Sequence, residues 1–379
     1  MLSHSPSPLM EISLSALRSN YASLARHVAP SPLLCVVKAD AYGHGAIECV
    51  GALREVGASL FAVANGTEAL FLSSLFAQDT LFCKDKLTYL PSLHILGAIT
   101  EEELLPICAL SVSCSVHSVL YAEALNAALA AAKRKKALPP DFRLPVSLKC
   151  ESGMNRLGIA RVSEALHACR LPHLRPVALY SHLAEADTAP NERTEEQIRR
   201  FHAFAALLSR AGYPLFTHLS ASAAALTRGA LGADAIRAGL ALYGLAPSPL
   251  PFLSVMRLSA SVISLKRVRR GEGVGYGSYR APRSMRIACL AVGYADGIPL
   301  SASGARVRVK GRLCPIVGQV CMDRTLLDVG DTPLTEGEML PLFGTDAEDT
   351  RRLAGECGIS PYVLLSVHSK RTAKIFIDR

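Results

Sequence analysis

The run LLCVVKADAYGHG, Leu33 to Gly45, sets an apolar, strand-like stretch directly against a lysine. A lysine partly withdrawn from water at a strand end has a lowered pKa and presents the neutral amine that attacks a carbonyl to form a Schiff base. Tyr42 offers a hydroxyl to a phosphate, and Gly43 and Gly45 let backbone approach a ligand closely. A lysine at such a position is also commonly just solvated, so the elements around it have to decide.

Between Leu33 and Arg237 short apolar runs alternate with longer helix-like segments. The runs are LLCVVK, LFAVA, LHIL, VSCSV, LPVSLK, VALYS, LFTHL and AIRAG. Helical stretches intervene, among them SVLYAEALNAALAAAKRKK and NERTEEQIRRFHAFAALLSRAG, where Asn191 and the early glutamates fit a helix start. Eight strands each followed by a helix point to a TIM (β/α)8 barrel rather than an open doubly wound sheet. In a barrel, chemistry gathers at the carboxyl ends of the strands, where Lys38 is expected. The segment Phe76 to Ser92 is longer than an ordinary connection and reads as an insertion or a mobile loop.

After YGLAPSPLP, with Pro247, Pro249 and Pro251, the texture changes to strand-like runs separated by glycines. A β-rich C-terminal domain is expected to follow the barrel, with residues 1–246 in the first domain and 247–379 in the second.

With 379 residues, 50% of them hydrophobic, the chain can bury a large core, which excludes a disordered or fibrous protein. The opening MLSHSPSPLM lacks a signal-peptide pattern, and no run approaches the roughly 20 apolar residues that span a bilayer. A soluble, cytoplasmic protein with no membrane role is expected. The 11 cysteines contain no CxxC pair and accompany no HExxH, so buried reduced thiols are expected, with no metal. The formal charge of +9 raises nucleic acid as a partner, yet the cluster Lys133 to Lys136 closes a helical stretch, where cations complement the helix dipole. No nucleic-acid role is expected; an anionic small molecule suits the charge equally.

The string VVKADAYGHG closely resembles the pyridoxal-phosphate lysine motif of alanine racemases, and further motifs follow in that family's order across nearly the whole chain. The resemblance implies a barrel followed by a β domain, a homodimer with shared active sites, and pyridoxal 5'-phosphate held as an aldimine on Lys38. KCESGMNRLGI is similar to the segment whose arginine, here Arg156, contacts a carboxylate or the cofactor's phenolic oxygen. It also places Lys149 where many members carry a carbamylated lysine, although Lys149 paired with a nearby acid is the alternative. YSHLAEAD supplies His182, and AIRAGLALYGL supplies Arg237 at the pyridine side. An arginine cannot readily give the ring a proton, which favours prompt return of a proton to Cα over transamination. HLSASAAAL and the backbone of Gly239 and Leu240 resemble the phosphate cradle, with Ser222 as its hydroxyl; Ala221 stands where the family commonly has asparagine. Lys370 stands where some members use a phosphate-binding tyrosine.

In the second domain GVGYGSY makes Tyr276 the candidate opposite-face base. A free tyrosine has a pKa of about 10, so proton abstraction near neutrality calls for nearby positive charge, for which Arg156 is the candidate. By the same resemblance Tyr294 lies at the active-site entrance, and the Met322 amide meets the substrate carboxylate in a loop shaped by Cys321 and Asp323. These residues are expected to serve the partner subunit. The implied activity is two-base interconversion of L- and D-alanine, supplying D-alanine for peptidoglycan. The alternatives are a barrel-type decarboxylase of basic amino acids, a racemase of broader specificity that takes serine, and a cofactor carrier without turnover.

Overall fold

The computed structural model describes residues 8–76, 80–83, 88–186, 191–369 and 371–378. They form two compact units, one of residues 21–41 and 53–241, the other of residues 1–20, 42–52 and 242–379.

The first unit is a closed parallel barrel. Its strands run, in spatial order, Leu33–Val36, Leu60–Val63, Leu93–Ile95, Val112–Val116, Leu144–Lys149, Leu174–Tyr180, Phe216–Ala221 and Ala235–Ala238, which returns to Leu33–Val36. All eight expected runs are barrel strands. Leu33–Val36, Leu60–Val63 and Val112–Val116 are buried along their whole length, because neither face of a parallel sheet meets water. Asn191 caps the helix Glu192–Arg210 by accepting the Thr194 amide at 2.9 Å, as its sequence position suggests. The basic cluster closes the helix Val119–Arg134, and Lys133 Nζ donates to the Pro140 carbonyl at 2.8 Å. The long segment before Ser92 contains an antiparallel pair, Thr80–Cys83 with Thr88–Pro91, so it is not an unstructured loop; residues 77–79 and 84–87 lie outside the described residues.

In the second unit Met256–Val268 pairs with Met285–Leu290, Met339–Phe343 and the N-terminal strand Leu9–Ser13. Thr325–Asp328 extends one edge, and Ala373–Ile377 lies parallel to Leu9–Ser13 at the other. The N-terminal strand, too short to stand out in the sequence, therefore completes a sheet made mainly from the far end of the chain.

Among the described cysteines none is in a disulfide and eight are buried, Cys289 and Cys321 being half-buried. No group of metal-binding side chains and no helix long and apolar enough to cross a membrane occurs among the described residues.

Candidate active site

The carboxyl ends of the barrel strands carry an unusual density of cations. Lys38 follows Leu33–Val36, Lys149 ends Leu144–Lys149, and Arg237 lies in Ala235–Ala238. Arg156, on the loop after Lys149, completes the set. Burial lowers the Lys38 amine below the ordinary lysine value, and Arg156 and Arg237 lower it further while Glu68 opposes them. Burial likewise brings Lys149 down to about 8, again with Arg156 and Arg237 contributing. Lys149 Nζ stands 5.7 Å from the Tyr180 ring, and Glu151 is an acid that acts on it against burial and the arginines.

Arg237 is buried and its fork is saturated by protein acceptors. Nη1 donates to the His218 carbonyl and to His218 Nδ1, both at 2.8 Å. Nη2 reaches the carbonyls of Ser181 at 2.6 Å and Leu219 at 2.8 Å, and His182 Nδ1 at 3.2 Å. Burial, with Arg237 and further cations beside it, brings His182 down to about 3, so the ring is neutral. Tyr180 stacks on His218 with centroids 4.9 Å apart, and its hydroxyl bonds Ser115 Oγ at 2.6 Å. Sequence reasoning missed His218 and Tyr180; the visible signal was polar and aromatic residues inside otherwise apolar strands.

Ser222 opens the helix Ser222–Arg228, and its hydroxyl accepts the amides of Gly239 at 3.1 Å and Ala241 at 3.2 Å. With both lone pairs occupied, the hydroxyl proton is what it has left to offer an anion. The Leu240 amide has no acceptor among the described residues. Ala221 sits at the helix cap with no side-chain bond, the position where an asparagine would supply one.

After Lys38 the backbone turns the wrong way for L-residues. Ala39, Asp40, Ala41 and Tyr42 have φ between 53° and 55°, a left-handed turn that costs roughly 1–2 kcal/mol per residue. The following glycines, read from the sequence as points of close approach to a ligand, turn their Cβ side to the protein itself. A Cβ on Gly43 would stand 2.0 Å from the Leu365 carbonyl oxygen, and one on Gly45 2.7 Å from the Phe376 ring. The protein's own backbone and an aromatic ring take that space. Tyr42 packs between Tyr243 and Tyr362, with centroids 5.0 and 5.5 Å away.

The other unit carries Tyr276, which is 67% exposed and borders a cavity of about 590 Å³ with Gly277, Arg283 and Gln319. Here the motifs containing Tyr294 and Met322 are tied together. Tyr294 donates its amide to the Cys321 carbonyl at 3.0 Å, and the next amide, of Ala295, reaches the Met322 carbonyl at 2.9 Å. Buried Asp296 accepts the Gly293 amide at 2.8 Å and both Nε and Nη2 of Arg371 at 2.6 and 3.0 Å. The Met322 amide has no acceptor among the described residues, and exposed Asp323 pairs with Arg324 at 3.2 Å. Lys370 lies outside the described residues.

Comparison with known proteins gives a match to the alanine racemase N-terminal domain over residues 12–247 and to the alanine racemase C-terminal domain over residues 255–376. The chain belongs to the alanine racemase family. It is 37% identical over 370 residues to the alanine racemase of Xanthomonas campestris pv. campestris, covering 93% of this chain and 94% of that one. To the alanine racemase of Nostoc it is 34% identical over 354 residues, 90% and 87% of the two chains. Among solved structures the biosynthetic alanine racemase of Pseudomonas aeruginosa superposes with a TM-score of 0.84 at 32% identity, covering 98% of this chain and all of the other. That of E. faecalis gives 0.85 at 28% identity over the full length of both.

Proposed function

We propose that the protein interconverts L- and D-alanine with pyridoxal 5'-phosphate, using one base on each face of Cα. The observation that carries this reading is the Lys38 amine, depressed by burial and by Arg156 at a barrel strand end, in a chain of the alanine racemase family.

The residues present fit that cofactor. Arg156 suits an anionic phenolic oxygen, while the Ser222 hydroxyl and the Leu240 amide are donors without an acceptor among the described residues. When bound, the cofactor supplies an aldehyde that links to amines and a ring that withdraws electrons from the substrate's Cα–H bond. Lys38 would hold it covalently. Tyr42, Ser222, Gly239 and Leu240 would hold the phosphate end, with Arg156 at the phenolic side and His182 and Arg237 at the ring nitrogen. The Arg237 guanidinium does not readily give up a proton to a pyridine nitrogen, which would limit charge withdrawal into the ring and keep the reaction at proton exchange.

Arg156 and the Met322 amide orient the substrate carboxylate. Lys38 takes or returns the Cα proton on the D-isomer face, and Tyr276 of the partner subunit does so on the L-isomer face. A homodimer with shared sites follows. The functional division falls near Ala246, with residues 247–379 serving the neighbouring copy, although Leu9–Ser13 is a strand of the second unit's sheet. Lys149, whose amine is brought down to about 8 by burial, is proposed to be carbamylated, which turns it into an anion for Arg156. The product D-alanine is a peptidoglycan precursor, and the work is proposed to take place in the cytoplasm.

The test is incubation of cofactor-loaded protein with each enantiomer of alanine and serine, followed by chiral chromatography. Equilibration of alanine supports the reading; release of carbon dioxide from lysine, ornithine or diaminopimelate without racemisation would replace it by decarboxylation. Lys38→Ala abolishes both the visible absorbance of the linked cofactor and turnover. Tyr276→Phe keeps the absorbance and loses most interconversion; equal activity in variant and parent rules out its assignment.

A further inference from the structure

The left-handed turn Ala39–Tyr42 needs something to hold it, and a residue outside every motif does so. Glu68, in the helix Gly66–Phe71 that follows the second barrel strand, accepts the Ala39 amide through Oε1 at 2.9 Å and the Ala64 amide through Oε2 at 2.8 Å. Ala39 is the residue after Lys38, and Ala64 follows the neighbouring strand Leu60–Val63, so one carboxylate staples two strand ends. Its own helix start is fixed by Asn65, which accepts the Glu68 amide at 2.9 Å. Behind it Gly66 lies so close to the Glu103 carboxyl that a Cβ would stand 2.5 Å away, and Glu103 in turn accepts Thr67 Oγ1 at 2.8 Å. The staple is thereby built on a rigid support.

We propose that Glu68 is the positioning residue of Lys38, holding the left-handed turn that presents the amine and setting negative charge against the surrounding Arg156 and Arg237. The proposal rests on the assignment of Lys38 as the cofactor lysine and proton carrier. A base that takes a proton from Cα must keep it until the opposite face has reacted. Burial, Arg156 and Arg237 all drive the proton off Lys38, and Glu68 acts against them by favouring the charged form. Lys149 and His182 also feel the Lys38 charge, and neither opposes the arginines.

The experiment uses Glu68→Gln, which keeps size and one acceptor oxygen, and Glu68→Ala, with Lys38→Ala as control. Each apoprotein is mixed with pyridoxal phosphate across a pH range, reduced with borohydride, and the label on the Lys38 peptide is quantified by mass spectrometry. In Glu68→Gln the labelling profile is expected to move to lower pH, since losing a nearby carboxylate frees the amine from its proton more easily. Turnover of loaded Glu68→Gln is expected to fall about tenfold in both directions, since each passes through the state in which Lys38 holds the proton, a loss the size of one charged hydrogen bond. Glu68→Ala is expected to reduce labelling at every pH as well as shifting the profile. An unmoved profile, whether labelling is slower throughout or unchanged, overturns the proposal, because a merely structural carboxylate would not shift it. Labelling of another lysine with full racemisation in Lys38→Ala would overturn the assignment of Lys38 instead, and the two failures are therefore distinct.

Discussion

Arg237 Nη1 donates to His218 Nδ1 at 2.8 Å, and that bond fixes the histidine's state. A guanidinium accepts nothing, so Nδ1 must carry a lone pair and the ring is neutral with its proton on Nε2. Burial, reinforced by Arg237, holds His218 well below the usual histidine range. The site thus aims a permanent cation by surrounding it with neutral rings and carbonyls, with no carboxylate among its hydrogen-bond partners.

Such histidines make stability pH-dependent. His94, 4% exposed and bonded to Ser113 Oγ at 2.8 Å, is pulled down to about 3 by burial and then by Arg237. Its folded value lies below the unfolded value of about 6.5, so between those limits the unfolded chain binds the extra proton. The contribution is complete above about pH 6.5 and is lost as pH falls, at up to about 1.4 kcal/mol per pH unit for this histidine. Denaturant unfolding at several pH values checks this. His94→Gln should flatten the slope below pH 6.5, and an unchanged slope removes His94 from the account.

Ser222→Ala leaves the buried Gly239 and Ala241 amides without their acceptor. The expected cost is about 1–3 kcal/mol of stability, together with weaker uptake of pyridoxal phosphate. Unfolding curves and titration of the apoprotein with the cofactor measure the two effects separately; unchanged affinity would remove Ser222 from the phosphate cradle.

At about 8, the Lys149 amine is mostly charged near physiological pH but has an appreciable neutral fraction able to attack carbon dioxide, losing a proton as the N–C bond forms. With carbon-13 bicarbonate, a carbamate signal is expected that strengthens as pH rises toward about 8. It should be missing in Lys149→Arg. Persistence of the signal in that variant would assign it elsewhere.

Gly293→Ala tests the loop bearing Met322. The added Cβ would stand 2.3 Å from the Cys321 carbonyl oxygen and 2.5 Å from the Asp323 nitrogen, so the loop must move. KM for alanine is expected to rise by about tenfold or more, the weight of one carboxylate hydrogen bond. Cofactor absorbance should stay as in the parent, and an unaltered KM would mean that the Met322 amide does not meet the substrate.

Local pattern was enough for the barrel, while most candidate site residues were named by motif resemblance. Apolar runs at even spacing marked all eight strands, and strand ends located Lys38, Lys149 and Arg237, because chain direction alone puts a residue at a carboxyl end. What only the tertiary structure decided was pairing between residues distant in sequence. Leu9–Ser13 became a strand because Met256–Val268 and Ala373–Ile377 offered it partners on both sides. Gly43 and Gly45 turned out to admit Leu365 and Phe376, since a glycine advertises space without naming its occupant. Glu68 was invisible for the same reason: a carboxylate at a helix start looks like a helix cap until the fold brings the Ala39 amide within reach.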